Sequence, residues 1–278
     1  MKYILLLHLF LLLGVAEALP VYNPAAASLL SQGVKCEAPV EYCCWYDVFS
    51  FNLGFTGYYV RDHKMELTGA KSDEIRDFSK RTNAGYIAIN TCNRFEIFST
   101  LGATNLLTTI PARGLSVPLN EKVDVRTDTA FSWSVGARAT IFQCGCFAFG
   151  VEGEYFNTNP NINSTTVASS VGEPNGLSYK YKEWQIGFGA AYRINISSDS
   201  TALIPYLAGR YGGTTVDSAS AVFKDPASHT LIFSNMKQLR SWGYAVGITL
   251  VGCDKIQVTA EGSFLNETAF LINSTLRF

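Results

Sequence analysis

The chain has 278 residues, a formal net charge of −1, and 47% hydrophobic, 13% aromatic and 16% charged residues. So small a net charge gives no field for nucleic acid or for an anionic membrane surface. No apolar run of 18 or more occurs after residue 20, which argues against a transmembrane helix there.

The N-terminal stretch MKYILLLHLFLLLGVAEALP has one early lysine, Lys2, and an apolar core from Ile4 to Val15. It then reads Ala16-Glu17-Ala18, an A-x-A cleavage pattern, so residues 1–18 are expected to be a signal peptide and the mature chain to begin at Leu19. A membrane anchor is the weaker reading, because the run is short and small residues follow at once. Residues 19–47 hold Cys36, Cys43 and Cys44.

From Val48 the dominant signal is period-two alternation. Over 48–60, Phe49, Phe51, Leu53, Phe55 and Tyr59 share one face and Ser50, Asn52, Thr56 and Tyr58 the other. The stretch 61–80, DHKMELTGAKSDEIRDFSKR from Asp62 on, is charged and reads as a loop. Less regular strands are expected at 84–92, 93–103 and 202–213. Clear alternation returns at 129–142, 145–157, 183–194, 241–251, 254–265 and in the C-terminal stretch ending on Phe278. Segments 105–124 and 218–235 can each hold a further hairpin. The Asn-, Ser-, Gly- and Pro-rich stretch 157–176 reads as a loop.

A soluble β-sandwich turns such an apolar face inward. A transmembrane barrel turns it to lipid and keeps small and polar side chains in the lumen. The barrel is favoured. Aromatics gather near strand ends, the opposite face is rich in Gly, Ala, Ser and isolated charges, and the chain ends on an aromatic strand. The expected fold is therefore an all-β, closed antiparallel barrel of about 12–14 strands over 48–278. Closure is required because unpaired backbone groups in hydrocarbon cost several kcal/mol each.

Short turns of such barrels face the periplasm and long loops face outward. Counting back from Phe278 places the turns with Cys253, Cys144 and Cys146, and Cys92 on the periplasmic rim. With a periplasmic N-terminus, Cys36, Cys43 and Cys44 join them, so all seven cysteines gather at one end. In an exported protein they can form disulfides. Seven is odd, so at least one is free or pairs with another chain. Gly145, between Cys144 and Cys146, is expected to supply a tight bend.

The stretches RTNAGYIAINTCNRFEIFSTLGAT (81–104), TDTAFSWSVGARATIFQCGC (127–146), YKEWQIGFGAAYRI (181–194), LPVYNPAAASLL (19–30) and the terminal LRF resemble the chlamydial major outer membrane porin family. The sequence is shorter than typical members and lacks much of their long external loops. The resemblance implies a porin of the bacterial outer membrane that passes small solutes. It further implies a trimer, cross-linked by disulfides to other envelope proteins, with Cys144 and Cys146 as the best-matched cysteines.

The candidate pore-lining residues are Arg94, Glu96, Arg138, Glu152, Glu154, Glu183, Arg193, Arg210, Glu261 and Arg277. Opposed charges across a pore set its ion preference. The signs of this set balance, so no preference follows. The alternative is that they brace a plugged barrel with a structural or adhesive role. No enzyme, cofactor or metal site is expected. His63 and His229 fall in expected loops, and no Gly-x-Ser-x-Gly occurs.

Overall fold

The computed structural model describes residues 49–278 except 69–73, 76, 92–94, 112–121, 168–169, 173–175, 197–200, 219–221, 225–229, 233–234 and 253–255. The expected signal peptide, the 19–47 segment, Arg94, His229 and Cys36, Cys43, Cys44, Cys92 and Cys253 lie outside the described residues.

Ten long strands form the wall: β1 (Phe49–His63), β2 (Asp77–Thr91), β3 (Phe95–Pro111), β4 (Ala130–Cys144), β5 (Phe147–Thr158), β6 (Tyr179–Tyr192), β7 (Thr201–Ser218), β8 (Trp242–Gly252), β9 (Ile256–Phe264) and β10 (Glu267–Arg277). Each pairs antiparallel with its neighbours in sequence, and β1 pairs with β10, from Asn52 opposite Arg277 to His63 opposite Glu267. The sheet is closed and has no free edge at membrane depth. The sandwich reading is thereby excluded.

The alternation has the expected sense. Phe49, Phe51, Leu53 and Phe55 are exposed on the outer face of β1, while Ser50, Asn52 and Thr56 are buried inside. The same inversion recurs on β8, where Trp242, Tyr244, Val246, Ile248 and Leu250 face out over an inner row of Gly243, Ala245, Gly247 and Thr249. Trp184, Tyr211 and Trp242 stack edge to face at centroid distances of 5.7 and 4.7 Å, forming part of an aromatic girdle near one rim. One departure lies on β4. The register shifts between Thr140 and Phe142, so that Ile141 and Phe142 are both exposed. This bulge turns two consecutive apolar residues to the outside, which strict alternation forbids.

The count of 12–14 strands is corrected to ten in the wall. The hairpin expected within 105–124 is present but adds no strand to the wall: an outward extension of β3 pairs with the short strand Lys122–Thr127, which pairs in turn with Ile162–Val167. The hairpin expected within 218–235 is likewise present, Val222–Lys224 pairing with Thr230–Ile232, and among the described residues it stands outside the wall. The stretch expected as a charged loop at 61–80 is largely strand as well. β1 runs to His63, Met65–Leu67 pairs with Met236–Gln238, and β2 starts at Asp77. In the stretch expected as a loop at 157–176, Ile162–Val167 and Ser170–Gly172 form further strand. These pieces continue the wall beyond one rim, where charged outward side chains meet water and propensity alone underrates a strand.

The connections are sided. β2–β3, β4–β5, β6–β7 and β8–β9 are joined by short links at the end where β1 begins and β10 stops. Four of the five links at the other end are longer excursions; the fifth, Leu265–Asn266 between β9 and β10, has two residues. By the rule that short turns face the periplasm, the first rim is periplasmic and the second external. The tightest periplasmic link is Gly145-Cys146, with Cys144 paired to Phe147. Gly145 has a φ of +57°, the left-handed value that a two-residue hairpin needs at its first central position.

Candidate pore lumen

The inner face is built in three levels. The two deeper ones are charged networks set by strand register. Glu96 of β3, Arg138 of β4 and Glu152 of β5 are direct cross-strand neighbours on the inner face. Arg138 ion-pairs with Glu96 through Nη2. Asn52 Nδ2 and Tyr86 Oη also donate to the Glu96 carboxylate, each at 2.6 Å, and Arg138 donates to Tyr86 Oη at 2.7 Å. The Arg138 guanidinium lies 5.6 Å from the Phe98 ring centroid. Three partners on three strands thus hold one carboxylate that would be costly to bury alone.

The second network crosses a strand. Arg210 of β7 ion-pairs with Glu261 of β9 although β8 runs between them. It can do so because β8 offers only Gly243, Ala245 and Gly247 on its inner face at this level. Tyr206 lies over Gly247, its cross-strand neighbour, and donates to Glu261, while Arg210 Nη1 donates to Ser263 at 3.0 Å. A Cβ on Gly247 would meet Tyr206 Cζ at 2.2 Å. The glycine therefore makes room for the tyrosine that fixes the carboxylate.

The third network lies nearer the external rim. Lys80 of β2 is 2% exposed and ion-pairs with Glu183 of β6 on the far wall. Its Nζ lies 4.9, 4.7 and 4.9 Å from the ring centroids of Tyr58, Phe156 and Tyr181. Tyr181 also donates to Glu183 at 2.8 Å. A cavity of about 40 Å³ beside Lys80 and Glu183 is also lined by Glu154 and Gln185. Gln185 donates to Glu154 at 2.6 Å. Above this level an apolar core closes in, with Met65, Leu67, Phe78, Val123, Ile162, Tyr179 and Met236 buried together. The short external strands and the outer ends of the wall strands supply it in similar shares.

The structure thus brings Glu96, Arg138, Glu152, Glu183, Arg210 and Glu261 into the interior, each at most 8% exposed, with Glu154 half-buried. Arg193 and Arg277 stand apart, half-buried at the periplasmic rim. The Arg193 backbone N–H donates to the Cys146 carbonyl at 2.8 Å. Two inward charges went unrecognised in the sequence, Lys80 and Glu267. Lys80 was hidden in the charged 61–80 stretch, although Phe78, Lys80, Thr82 and Ala84 alternate in phase with Tyr86. Glu267 is in phase with Asn273 and Thr275 and accepts a hydrogen bond from Tyr58. His63, expected in a loop, is fully buried beside Phe78 and Glu267. Among the described residues, Lys80, Arg138 and Arg210 are each paired to a carboxylate, whereas Glu152, Glu154 and Glu267 face inward with no lysine or arginine at ion-pair distance. Both Glu152 carboxylate oxygens are buried without a hydrogen-bond partner.

At the periplasmic rim, Cys144 and Cys146 are exposed, unpaired thiols. Thr91 opposite Phe95 and Gly252 opposite Ile256 flank the links that carry Cys92 and Cys253.

Known proteins share this chain's pattern. It is 28% identical to the major outer membrane porin of Chlamydia abortus, covering 94% of this chain and 95% of that protein. It is 30% identical to a major outer membrane porin of Chlamydia psittaci over 94% of this chain and 95% of the relative. That alignment runs to 378 positions, so many positions of the longer relative have no counterpart here. Among solved structures, the outer membrane protease OmpT from Escherichia coli aligns with a TM-score of 0.47 and 11% identity, covering 86% of this chain and 99% of that one. The family profile described as Chlamydia major outer membrane protein matches residues 108–174 and 197–278. The chain belongs to the Chlamydia major outer membrane protein family and is a multi-pass β-barrel of the bacterial outer membrane.

Proposed function

We propose that this protein is a narrow outer-membrane porin that passes small solutes and ions, and that its periplasmic rim is a site of disulfide cross-linking to other envelope chains. The observation that carries the channel reading is the charged interior. Nine ionisable side chains line it across eight strands, an arrangement with no purpose in a merely structural wall, where apolar filling is cheaper. The names of the relatives support the same reading. Six of these nine are carboxylates and three are cations. This excess supports a preference for cations, where the residues read from sequence balanced. A ten-stranded wall leaves little bore, so transport is confined to small solutes. The family resemblance supports a trimer, with Cys144 and Cys146 at the rim available to partner chains.

The second reading is a plugged structural or adhesive barrel. It is favoured by the apolar core over the external mouth and by the near-complete burial of the ion pairs. Planar-bilayer recording separates the two. Folded protein with discrete conductance and a cation-favouring reversal potential in a KCl gradient supports the porin. Folded protein that never conducts rejects it in favour of the plug.

A further inference from the structure

The outer surface carries a second charged feature, on the lipid side. Arg61, Arg81 and Arg126 are exposed on three neighbouring strands, β1, β2 and the short strand Lys122–Thr127 beyond β3. All three are exposed: Arg61 stands at the bulge between Val60 and Asp62 of β1, Arg81 is in phase with Ile87 and Ile89 on β2, and Arg126 lies opposite Leu107 on β3. They sit immediately above the exposed apolar band, on its external side. Two adjoining grooves connect them. One, of about 490 Å³, lies between Tyr59, Arg61, Ser79 and Arg81. The other, of about 330 Å³, lies between Ser79, Arg81, Asn105, Leu107 and Arg126. Among the described residues, no carboxylate lines either groove.

Several cations elsewhere in the protein are paired, although, among the described residues, the exposed Lys122 and Lys180 are not. Lys80, Arg138 and Arg210 inside are paired, and so are Lys64, Lys182 and Lys237 on the outside. Among the described residues, Arg61, Arg81 and Arg126 have no carboxylate within ion-pair distance. Three unneutralised guanidinium groups in one patch repel one another, and a multivalent anion removes that repulsion. Phosphate matches best, because guanidinium binds it through two parallel N–H donors.

We propose that Arg61, Arg81 and Arg126 form a binding site for the phosphates of an anionic outer-leaflet lipid headgroup. Position decides between a lipid and a free phosphate. Asp124 projects from the same face one pleat step beyond Arg126, and Asp77 two steps beyond Arg81, so that they flank Thr109 farther from the apolar band. They oppose an anion arriving from water. A lipid reaches the grooves from below, with its acyl chains on Leu101, Leu107 and Tyr59.

The test is titration of the refolded full-length barrel in neutral detergent with bisphosphorylated lipid A, read by native mass spectrometry. The variants are the triple R61Q/R81Q/R126Q, the control K182Q and the double D77N/D124N. All of these side chains are on the outer surface, and folding is checked by heat-modifiable migration. The triple substitution is expected to weaken binding by about a hundredfold. K182Q should leave it within about twofold and D77N/D124N should tighten it, in keeping with the opposed local charges. Millimolar inorganic phosphate should not displace the lipid. Equal binding by the triple variant and the parent, or equal losses in the triple variant and K182Q, overturns the site. Full displacement by inorganic phosphate overturns its assignment to lipid.

Discussion

Adding one methyl group to β8 should loosen the interior network from the opposite wall. In Gly247→Ala the new Cβ would stand 2.2 Å from Tyr206 Cζ and 2.3 Å from its hydroxyl oxygen. Ordinary contact begins near 3.4 Å, so the ring must move by more than an ångström. Overpacking of this kind costs about 1–3 kcal/mol. The displaced hydroxyl also gives up its bond to Glu261, a hydrogen bond to a charged group in a dry site, for about 1.5–3 kcal/mol. Removing a strand glycine returns about 0.5–1 kcal/mol. The expected loss is therefore about 2–5 kcal/mol. Urea unfolding of the refolded barrel in lipid vesicles, followed by tryptophan fluorescence, measures it. The same substitution in a Tyr206→Ala background should cost nothing, because the clash and the bond are both gone. An equal loss in both backgrounds would refute the glycine–tyrosine–glutamate coupling.

Other consequences are as direct. Lys80→Ala should destabilise the barrel by about 3–5 kcal/mol in the same assay, because it leaves Glu183 buried without its cation. Lys80→Met combined with Glu183→Gln should recover most of that loss, and failure to do so would mean that the charges themselves are needed. Arg210→Ala with Glu261→Ala empties the middle of the lumen and should raise single-channel conductance; an unchanged conductance would place the pathway elsewhere. Cys144→Ser with Cys146→Ser should diminish the high-mass, reductant-sensitive species on non-reducing gels of whole envelopes, and a pattern identical to the parent would remove these two thiols from the cross-link.

Much of the wall was legible because its two faces differ in chemistry at every second residue. Phe49 to Tyr59 and Trp242 to Leu250 could be assigned a side before any pairing was known. The closed barrel and the gathering of short turns at one rim followed from this. The signal failed where the wall leaves the bilayer. Above the apolar band, outward positions become Arg61, Ser79, Arg81 and Arg126, so both faces of the strand are polar or mixed. Alternation then vanishes although the hydrogen-bonded ladder continues. That is why β1, β2 and β3 were read short and why spare segments were counted as extra spans. The interior was half legible. Six of the expected lumen charges face inward, buried to 8% exposure or less. Their pairing was not legible, since Arg210 reaches Glu261 across a strand through the smallness of its inner residues. No spacing along the chain encodes that.

The seam between β1 and β10 bears on biogenesis. Phe51 and Phe278 exchange backbone hydrogen bonds at 3.2 and 2.9 Å, extending the ladder between β1 and β10 that closes the wall. No partial translation product can complete this ring. Until Phe278 emerges, two raw strand edges and an outward apolar surface stay open together, the combination most prone to aggregate. Closure therefore waits for β10, because β1 has its second neighbour only in that strand. A chain shortened by even its last strand would reach the membrane with nothing to close upon.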